Sequence, residues 1–131
     1  MTRQIRLLSV LILAVLPSRT AAEVELLGNS GFEGEFRSGV ADGWMDNSRG
    51  WADLDMQYSC DRHDPRTGRA CQQIACSRLD YGAVQFIPAA PVPLAKGNVY
   101  RVRGWLRGDV GVVALPLRQE PSPYQLYMEK G

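Results

Sequence analysis

The sequence predicts an all-β protein, an antiparallel β-sandwich or barrel, and three observations support this fold class. No long stretch after Glu23 has the periodicity of an amphipathic helix. Turn signals rich in glycine and proline, such as "GNSG", "DPRTG", "LDYG" and "AKGN", recur along the chain. Short runs between regular turn signals are typical of sandwiches and barrels. Several of the runs also alternate between apolar and polar residues, as half-buried strands do.

The first 22 residues are interpreted as a secretory signal peptide that is not part of the fold. A basic start, "MTRQIR", precedes the apolar run "LLSVLILAVLP", and "TAA" before Glu23 supplies the small residues of a cleavage site. The run is too short to span a bilayer and no second one follows, so a cleaved signal is favoured over an anchor. We expect a mature domain of residues 23–131 that is secreted or periplasmic.

The charge of this domain gives no reason to expect a nucleic-acid or membrane partner. Three of the 15 basic residues and none of the 14 acidic residues lie in residues 1–22, so the remainder holds 12 basic and 14 acidic residues. A nearly neutral chain of mixed charge lacks the basic surface that nucleic acids require.

The first clearly alternating run is "WADLDMQYS" (51–59), in which Leu54, Met56 and Tyr58 share one face while Trp51 and the aspartates share the other. The run "GAVQFI" (82–87) points Phe86 inward and Gln85 outward. Between them, "ACQQIAC" (70–76) reads as a weaker strand without clear periodicity.

The run "VYRVRGWLRG" (99–108) raises a question, because its charged face carries a tryptophan. Trp105 shares that face with Arg101, Arg103 and Arg107. A flat aromatic ring beside hydrogen-bonding groups is what a sugar-binding surface needs. A ring packed under a loop and flanked by arginines is an equally good explanation. By contrast, Trp44, beside the turn "DGW", is expected to fill the core.

The three cysteines are expected to be oxidised in part, because the compartment is oxidising. Cys60 and Cys71 flank the turn-like stretch "DRHDPRTGRA" and are predicted to form a disulfide. Cys76 is left over, either buried as a thiol or paired outside this chain. A zinc site using "CDRH" ranks lower, because the chain has one histidine and an unsuitable second pair of cysteines.

Six short motifs, in the order in which they occur, resemble carbohydrate-binding modules of the kind found beside cellulases and xylanases: "ELLGNSGFEG", "DGW", "DPRTGRACQQI", "GAVQF", "LAKGNVYRVRGWLRGD" and "LRQEPSPYQLY". The resemblance is to the galactose-binding-like jelly-roll superfamily, in particular families four, nine and twenty-two, and covers nearly all of residues 24–127. It implies a jelly-roll sandwich that binds a polysaccharide or oligosaccharide, usually as the accessory of a glycoside hydrolase domain in the same or a longer chain.

The resemblance also implies a structural calcium ion with Glu33 as one ligand, since calcium prefers oxygen donors. The family's partner aspartate, on the closing strand, has no match in this sequence. The domain is therefore interpreted as missing its last strand.

The predicted carbohydrate-binding residues combine aromatic rings with hydrogen-bonding groups: Trp105, Arg103, Trp51, Gln85 and Tyr124. Strand parity alone leaves open whether Trp51 and Trp105 are neighbours or lie on opposite sides of the molecule. Gln85 suits a bond to a neighbouring loop equally well, and the position of Tyr124 in the last strand also suits a core residue.

The chain is interpreted as non-catalytic. Its carboxylates include Asp53, Asp55 and Asp80, but nothing in the sequence places two of them in a deep cleft, as a glycosidase needs. Motifs of serine nucleophiles, phosphate loops and zinc proteases are absent. The alternative to glycan binding is a structural or protein-interaction sandwich within a larger secreted protein, because fold does not fix function.

Overall fold

The structure, a computed structural model, describes residues 3–15, 23–109, 113–114, 116–118 and 126–128. Regular structure in these ranges consists of strands, which confirms the all-β prediction. The strands are β1 (Arg3–Val15), β2 (Val24–Glu25), β3 (Phe36–Arg37), β4 (Val40–Ala41), β5 (Trp44–Asp46), β6 (Asp53–Asp61), β7 (Cys71–Tyr81), β8 (Phe86–Pro88), β9 (Val99–Gly108), β10 (Leu117–Arg118) and β11 (Leu126–Met128). The same ranges contain no helix long and apolar enough to cross a membrane.

The largest sheet has five antiparallel strands. Its order is β2–β1–β7–β6, and β9 also pairs with β1. Ile5 is opposite both Ile74 of β7 and Gly108 of β9, so β1 lies between these two strands. β6 and β9 are consequently at the two outer positions of the sheet, with β1 and β7 between them. This order decides which surface residues can act together.

Strand β1 comes from the segment that is predicted from the sequence to be a signal peptide. It pairs with β9 between Ile5 and Val15, with β7 between Arg3 and Leu7, and with β2 at Leu13 and Ala14. Cleavage before Glu23 would remove this strand and leave β7 and β9 each with an open edge. The full-length and processed chains are therefore expected to differ in stability, which is developed as a prediction below.

The hydrophobic core lies between the main sheet and the short strands that follow β2. Leu27, Phe32, Ala41 and Trp44 form its buried centre. Phe86 extends it, because its ring stacks on Trp44 with centroids 5.1 Å apart and planes 5° from parallel. The Trp44 Nε1–H donates to the Asn29 carbonyl at 3.0 Å, so the buried indole loses no hydrogen bond. Trp44 is thus a core residue, as predicted.

The remaining pairings are short and antiparallel. β3 pairs with β4, β5 with β8, and β10 with β11, each as a two-stranded sheet. The pairing of β5 with β8 joins Trp44 to Pro88 and Asp46 to Phe86, which brings the two stacked aromatic rings together. The β3–β4 and β5–β8 pairs thus supply residues of the core, among them Phe36, Ala41 and Trp44.

The predicted alternation of β6 is present. Asp53, Asp55 and Gln57 are exposed, whereas Leu54 and Met56 are half-buried and Tyr58 is 6% exposed. The alternation places the Tyr58 ring against Phe86, with centroids 5.6 Å apart. Burial of alternate apolar side chains on one face accounts for this strand.

Strand β7 is longer than its sequence pattern indicates, and side-chain hydrogen bonds attach it to neighbouring segments. Gln72, a polar residue, is fully buried. Its Oε1 accepts from the Ala41 N–H at 2.9 Å, and its Nε2 donates to the carbonyls of Gly39 at 2.8 Å and Ser59 at 3.1 Å. Because this amide binds the β3–β4 turn to the main sheet, the strand needs a polar residue where simple alternation would place an apolar one.

The predicted disulfide between Cys60 and Cys71 is not present in the structure. In the register of β6 and β7, Cys60 is opposite Gln72, and Cys71 is opposite Asp61. Side chains alternate between faces along a strand, so the two sulfurs point to opposite sides of the sheet. The turn does bring the ends of β6 and β7 together. A disulfide would require Cys60 to lie opposite Cys71, and the observed register differs from that by one residue.

Candidate functional site

The most distinctive surface is where the loop of residues 62–70 meets strand β9. On β9, Tyr100 and Val102 pack against the core, while Arg103 and Trp105 belong to the opposite, outer face. Trp105 is 39% exposed, so its indole is accessible from solvent. We call the loop together with Arg103, Trp105 and Arg107 the Trp105 corner.

The loop is attached to β9 through two contacts of arginine. The Arg66 guanidinium carbon lies 4.6 Å from the centroid of the Trp105 ring, which is a cation–π distance. Arg107 forms an ion pair with the Asp64 carboxylate and also donates to the Asp64 carbonyl at 2.9 Å. The loop and the arginine contact that one of the two explanations for Trp105 requires are therefore present. Part of the ring is nevertheless exposed, as the other explanation, a sugar-binding surface, requires.

Glu33, the predicted calcium ligand, fixes the base of this loop. The Arg69 N–H donates to both carboxylate oxygens of Glu33 at 2.9 Å, and the Ala70 N–H is 3.5 Å from one of them. Gly68 has a φ of +70°, and a Cβ built on it would lie 1.8 Å from Glu33 Oε1. The loop thus needs glycine at this position so that its backbone can reach the carboxylate.

The hydrogen bonds of the Glu33 carboxylate are with backbone N–H groups. N–H donors face both carboxylate oxygens, whereas a cation needs oxygen lone pairs directed at it. Among the described residues, no three histidine, cysteine, aspartate or glutamate side chains lie close enough together to hold an ion. The role that the structure gives to Glu33 is that of a backbone clamp.

Trp51 and Gln85 lie together at another place in the fold. The Trp51 Nε1–H donates to the Asn47 carbonyl at 2.6 Å, and the Asn47 side-chain amide donates to Gln85 Oε1 at 2.7 Å. The buried Ser48 hydroxyl accepts from the Gln85 N–H at 2.7 Å. The Gln85 side chain therefore binds a neighbouring loop, which is the alternative that the sequence left open.

The strand order separates the two exposed tryptophans. In the pairing of β1 with β9, Trp105 is opposite Leu8. The preceding residue of β1, Leu7, is opposite Gln72 near the start of β7, and the start of β7 is paired with the end of β6. Trp105 is therefore level with the start of β7 and the end of β6. Trp51 precedes the other end of β6, about 26 Å away along the strand at 3.3 Å per residue. Three strand spacings, about 14 Å, also separate β9 from β6. Trp51 and Trp105 do not share one binding platform.

An acidic cluster occupies the Trp51 end of β6 and β7. Arg78 pairs with Asp53 and Asp55, each at 2.8 Å, and with Asp80. The hydrogen bond from Arg78, and then its positive charge, hold the pKa of Asp55 below its ordinary value. Because Arg78 is shared by three carboxylates, this cluster is an ion-pair network on the sheet surface.

A shallow groove of about 420 Å³ lies beside this cluster, lined by Arg49, Gly50, Ala52, Leu54, Asp55 and Met56. It is the larger of two depressions on the described surface that share Asp55 and Met56. Neither includes Trp51 in its lining. The groove therefore does not combine an aromatic ring with polar groups, as the Trp105 corner does.

Tyr124, the last predicted binding residue, lies outside the described residues. Two residues of the Trp105 corner, Asp64 and Arg66, were not expected from the sequence, because the stretch "DRHDPRTGRA" was interpreted only as a turn. Its density of charge was the available signal, since a plain turn does not need five charged residues in ten.

Comparisons of the chain with protein-family models, curated proteins and solved structures give no match.

Proposed function

We propose that this protein is a non-catalytic carbohydrate-binding module, and that the Trp105 corner is its binding surface. The observation that carries the proposal is an accessible indole on the outer face of a sheet, with Arg66 and Arg103 beside it. Sugars offer an apolar face of C–H groups and a rim of hydroxyls, which an aromatic ring and hydrogen-bond donors complement. The resemblance of the sequence motifs to such modules agrees with this choice.

The architecture that we propose for the processed module is a galactose-binding-like jelly roll, in which β6, β7 and β9 belong to one layer and the short strands that carry the core residues belong to the other. A basic, apolar and small-residue start supports export, so the module is proposed to be secreted or periplasmic, with residues 1–22 removed as a signal peptide. Its partners are a polysaccharide or oligosaccharide and a glycoside hydrolase domain that the module serves. A structural calcium ion remains a proposal, tested below.

Within the proposed site, Trp105 supplies the stacking surface and Arg103 supplies donors to hydroxyls. Trp51 and Gln85 are at the other end of the sheet and already bond to the Asn47 loop, so they are proposed to contribute to the fold and not to this surface. An open platform buries little ligand area, and binding is expected to be weak at each site.

The alternative function is a structural or protein-interaction domain. Arg66 covers part of the Trp105 ring, and Arg107 with Asp64 attaches the loop to β9. These contacts would serve equally well to stiffen a surface that meets another protein. Binding of a protein instead of any glycan is therefore one outcome of the test.

The test is intrinsic tryptophan fluorescence of the purified protein, titrated with soluble xylans, glucans, mannans and acidic polysaccharides. Trp105→Ala is expected to weaken binding about tenfold, which corresponds to ~1.4 kcal/mol. Trp51→Ala is the matched control, because this ring is also exposed (43% against 39%) but lies at the opposite end. Retained binding in the Trp105 variant, or no response to any glycan, would refute the proposal.

A further inference from the structure

The charges on the main sheet are distributed unevenly along its strands. At the Trp51 end, three aspartates surround Arg78. At the Trp105 corner, arginines predominate: Arg62, Arg66, Arg69, Arg103 and Arg107. A nearly neutral chain therefore carries a local positive surface at the place where its accessible indole lies.

The acidic residues at this corner are already engaged. Asp64 pairs with Arg107, and Glu33 accepts the backbone N–H of Arg69. In the described part of the chain, Arg66 and Arg103 pair with no carboxylate. The guanidinium of Arg66 contacts the Trp105 ring at 4.6 Å, and this contact uses none of its N–H groups for a carboxylate.

From this arrangement we propose that the ligand of the Trp105 corner is an acidic polysaccharide, bound through the carboxylates of its uronic acid residues. This inference rests on the proposed carbohydrate-binding function and narrows its ligand class. An arginine guanidinium donates two parallel hydrogen bonds to the two oxygens of a carboxylate, a geometry that a single sugar hydroxyl cannot use. The contact with Trp105 restricts the Arg66 side chain before the ligand arrives, so less conformational entropy is lost on binding.

The position of Arg103 supports the same ligand. It is two residues before Trp105 on the same strand, and therefore about 7 Å along the same face. A ligand chain that contacts the exposed part of the indole can place one carboxylate at Arg66 and another group at Arg103. A neutral polysaccharide would leave Arg66 and Arg103 without anionic partners and gain less from them.

The experiment uses polygalacturonate and its highly methyl-esterified form as paired ligands. The two have the same sugar backbone, but esterification removes the negative charge. Neutral xylan and β-glucan, dextran sulfate and single-stranded DNA complete the panel. Affinity is measured by fluorescence and calorimetry at low and high salt, since an ion-pair contact weakens as salt rises.

We expect polygalacturonate to bind at least tenfold more tightly than its methyl ester. Arg66→Gln and Arg103→Gln are each expected to reduce this affinity about tenfold, the effect of losing a charge-assisted hydrogen bond. Arg49→Gln is the control, because it removes one positive charge from an exposed site at the Trp51 end. Circular dichroism of each variant checks that the fold is retained.

The other outcomes separate the inference from the function on which it rests. Equal binding of neutral and acidic glycans would overturn the inference and leave the carbohydrate-binding function in place. Binding of dextran sulfate alone would overturn the assignment to carboxylates, and DNA bound as tightly as polygalacturonate would show a non-selective basic surface. Absence of binding to every glycan would refute the function itself.

Discussion

The contact between Glu33 and Gly68 gives a prediction that tests the structure directly. Glu33→Ala removes a charge-assisted hydrogen bond from the Arg69 N–H, which is worth about 1.5 to 3 kcal/mol. Because about a third of the Glu33 side chain is exposed (34%), we expect the low end, ~1.5 kcal/mol of unfolding free energy. Gly68→Ala is expected to lower the unfolding free energy by the same ~1.5 kcal/mol, because its methyl group displaces the Glu33 carboxylate, and by a further ~1 to 2 kcal/mol because alanine disfavours a positive φ.

The two substitutions should not be additive, because each of them breaks the same contact. In the Glu33→Ala protein, Gly68→Ala meets no carboxylate and costs only the backbone strain. Urea denaturation of the wild type, both single variants and the double variant should therefore give a coupling energy of ~1.5 kcal/mol. Additivity within ~0.5 kcal/mol would refute the clamp.

The same proteins decide the calcium proposal. If Glu33 held a calcium ion in the native state, chelation would lower the melting temperature of the wild type and leave Glu33→Ala unchanged. The clamp predicts no effect of chelation on either protein. An effect confined to the wild type would restore Glu33 as a metal ligand.

Three further predictions concern the sheet and its core. Gln72→Met should lower the unfolding free energy by ~3 kcal/mol in urea denaturation, because it leaves two or more buried backbone groups without partners, whereas the control Gln57→Met at an exposed position of β6 should cost under ~1 kcal/mol. The buried Tyr58 hydroxyl lies near Asp46 and Ser48 but makes no well-formed hydrogen bond in the described part of the chain, so Tyr58→Phe should stabilise by ~1 kcal/mol; a loss of stability would show that the hydroxyl bonds to one of these two residues. Deletion of residues 1–22 should lower the urea midpoint, since it removes the shared partner of β7 and β9, and an unchanged midpoint would show that β1 is dispensable.

Much of the fold was predictable because one local rule governs it. The alternation of apolar and polar residues identified the buried face of β6, the inward position of Phe86 and the two faces of β9. The position of Trp44 beside the turn "DGW" likewise led to the prediction that it is buried. Such features depend on neighbours within one strand, which the sequence lists in order.

Features that depend on the register between strands were not predictable. The cysteines flank the correct turn, yet a pairing of Cys60 with Gln72 sends their sulfurs to opposite faces. A shift of one residue in the register between two strands moves every side chain of one strand to the other face relative to its partner, and the local sequence pattern does not determine that register. The burial of Gln72 escaped notice for a related reason, since its partners are backbone groups of the distant β3–β4 turn.

The position of the candidate site depends both on the face of the strand that each tryptophan occupies and on the order of the strands in the sheet. Parity put Trp51 and Trp105 on polar faces, but two strands, β1 and β7, separate the outer strands β6 and β9. Of the two rings, Trp105 is the one that, among the described residues, has cations without carboxylate partners beside it. One of these cations is Arg66, which belongs to a loop that was interpreted from the sequence as a simple turn. A ligand that needs both an aromatic face and positive charge can therefore meet them at one corner of this sheet, whereas at the opposite corner Trp51 stands near aspartates.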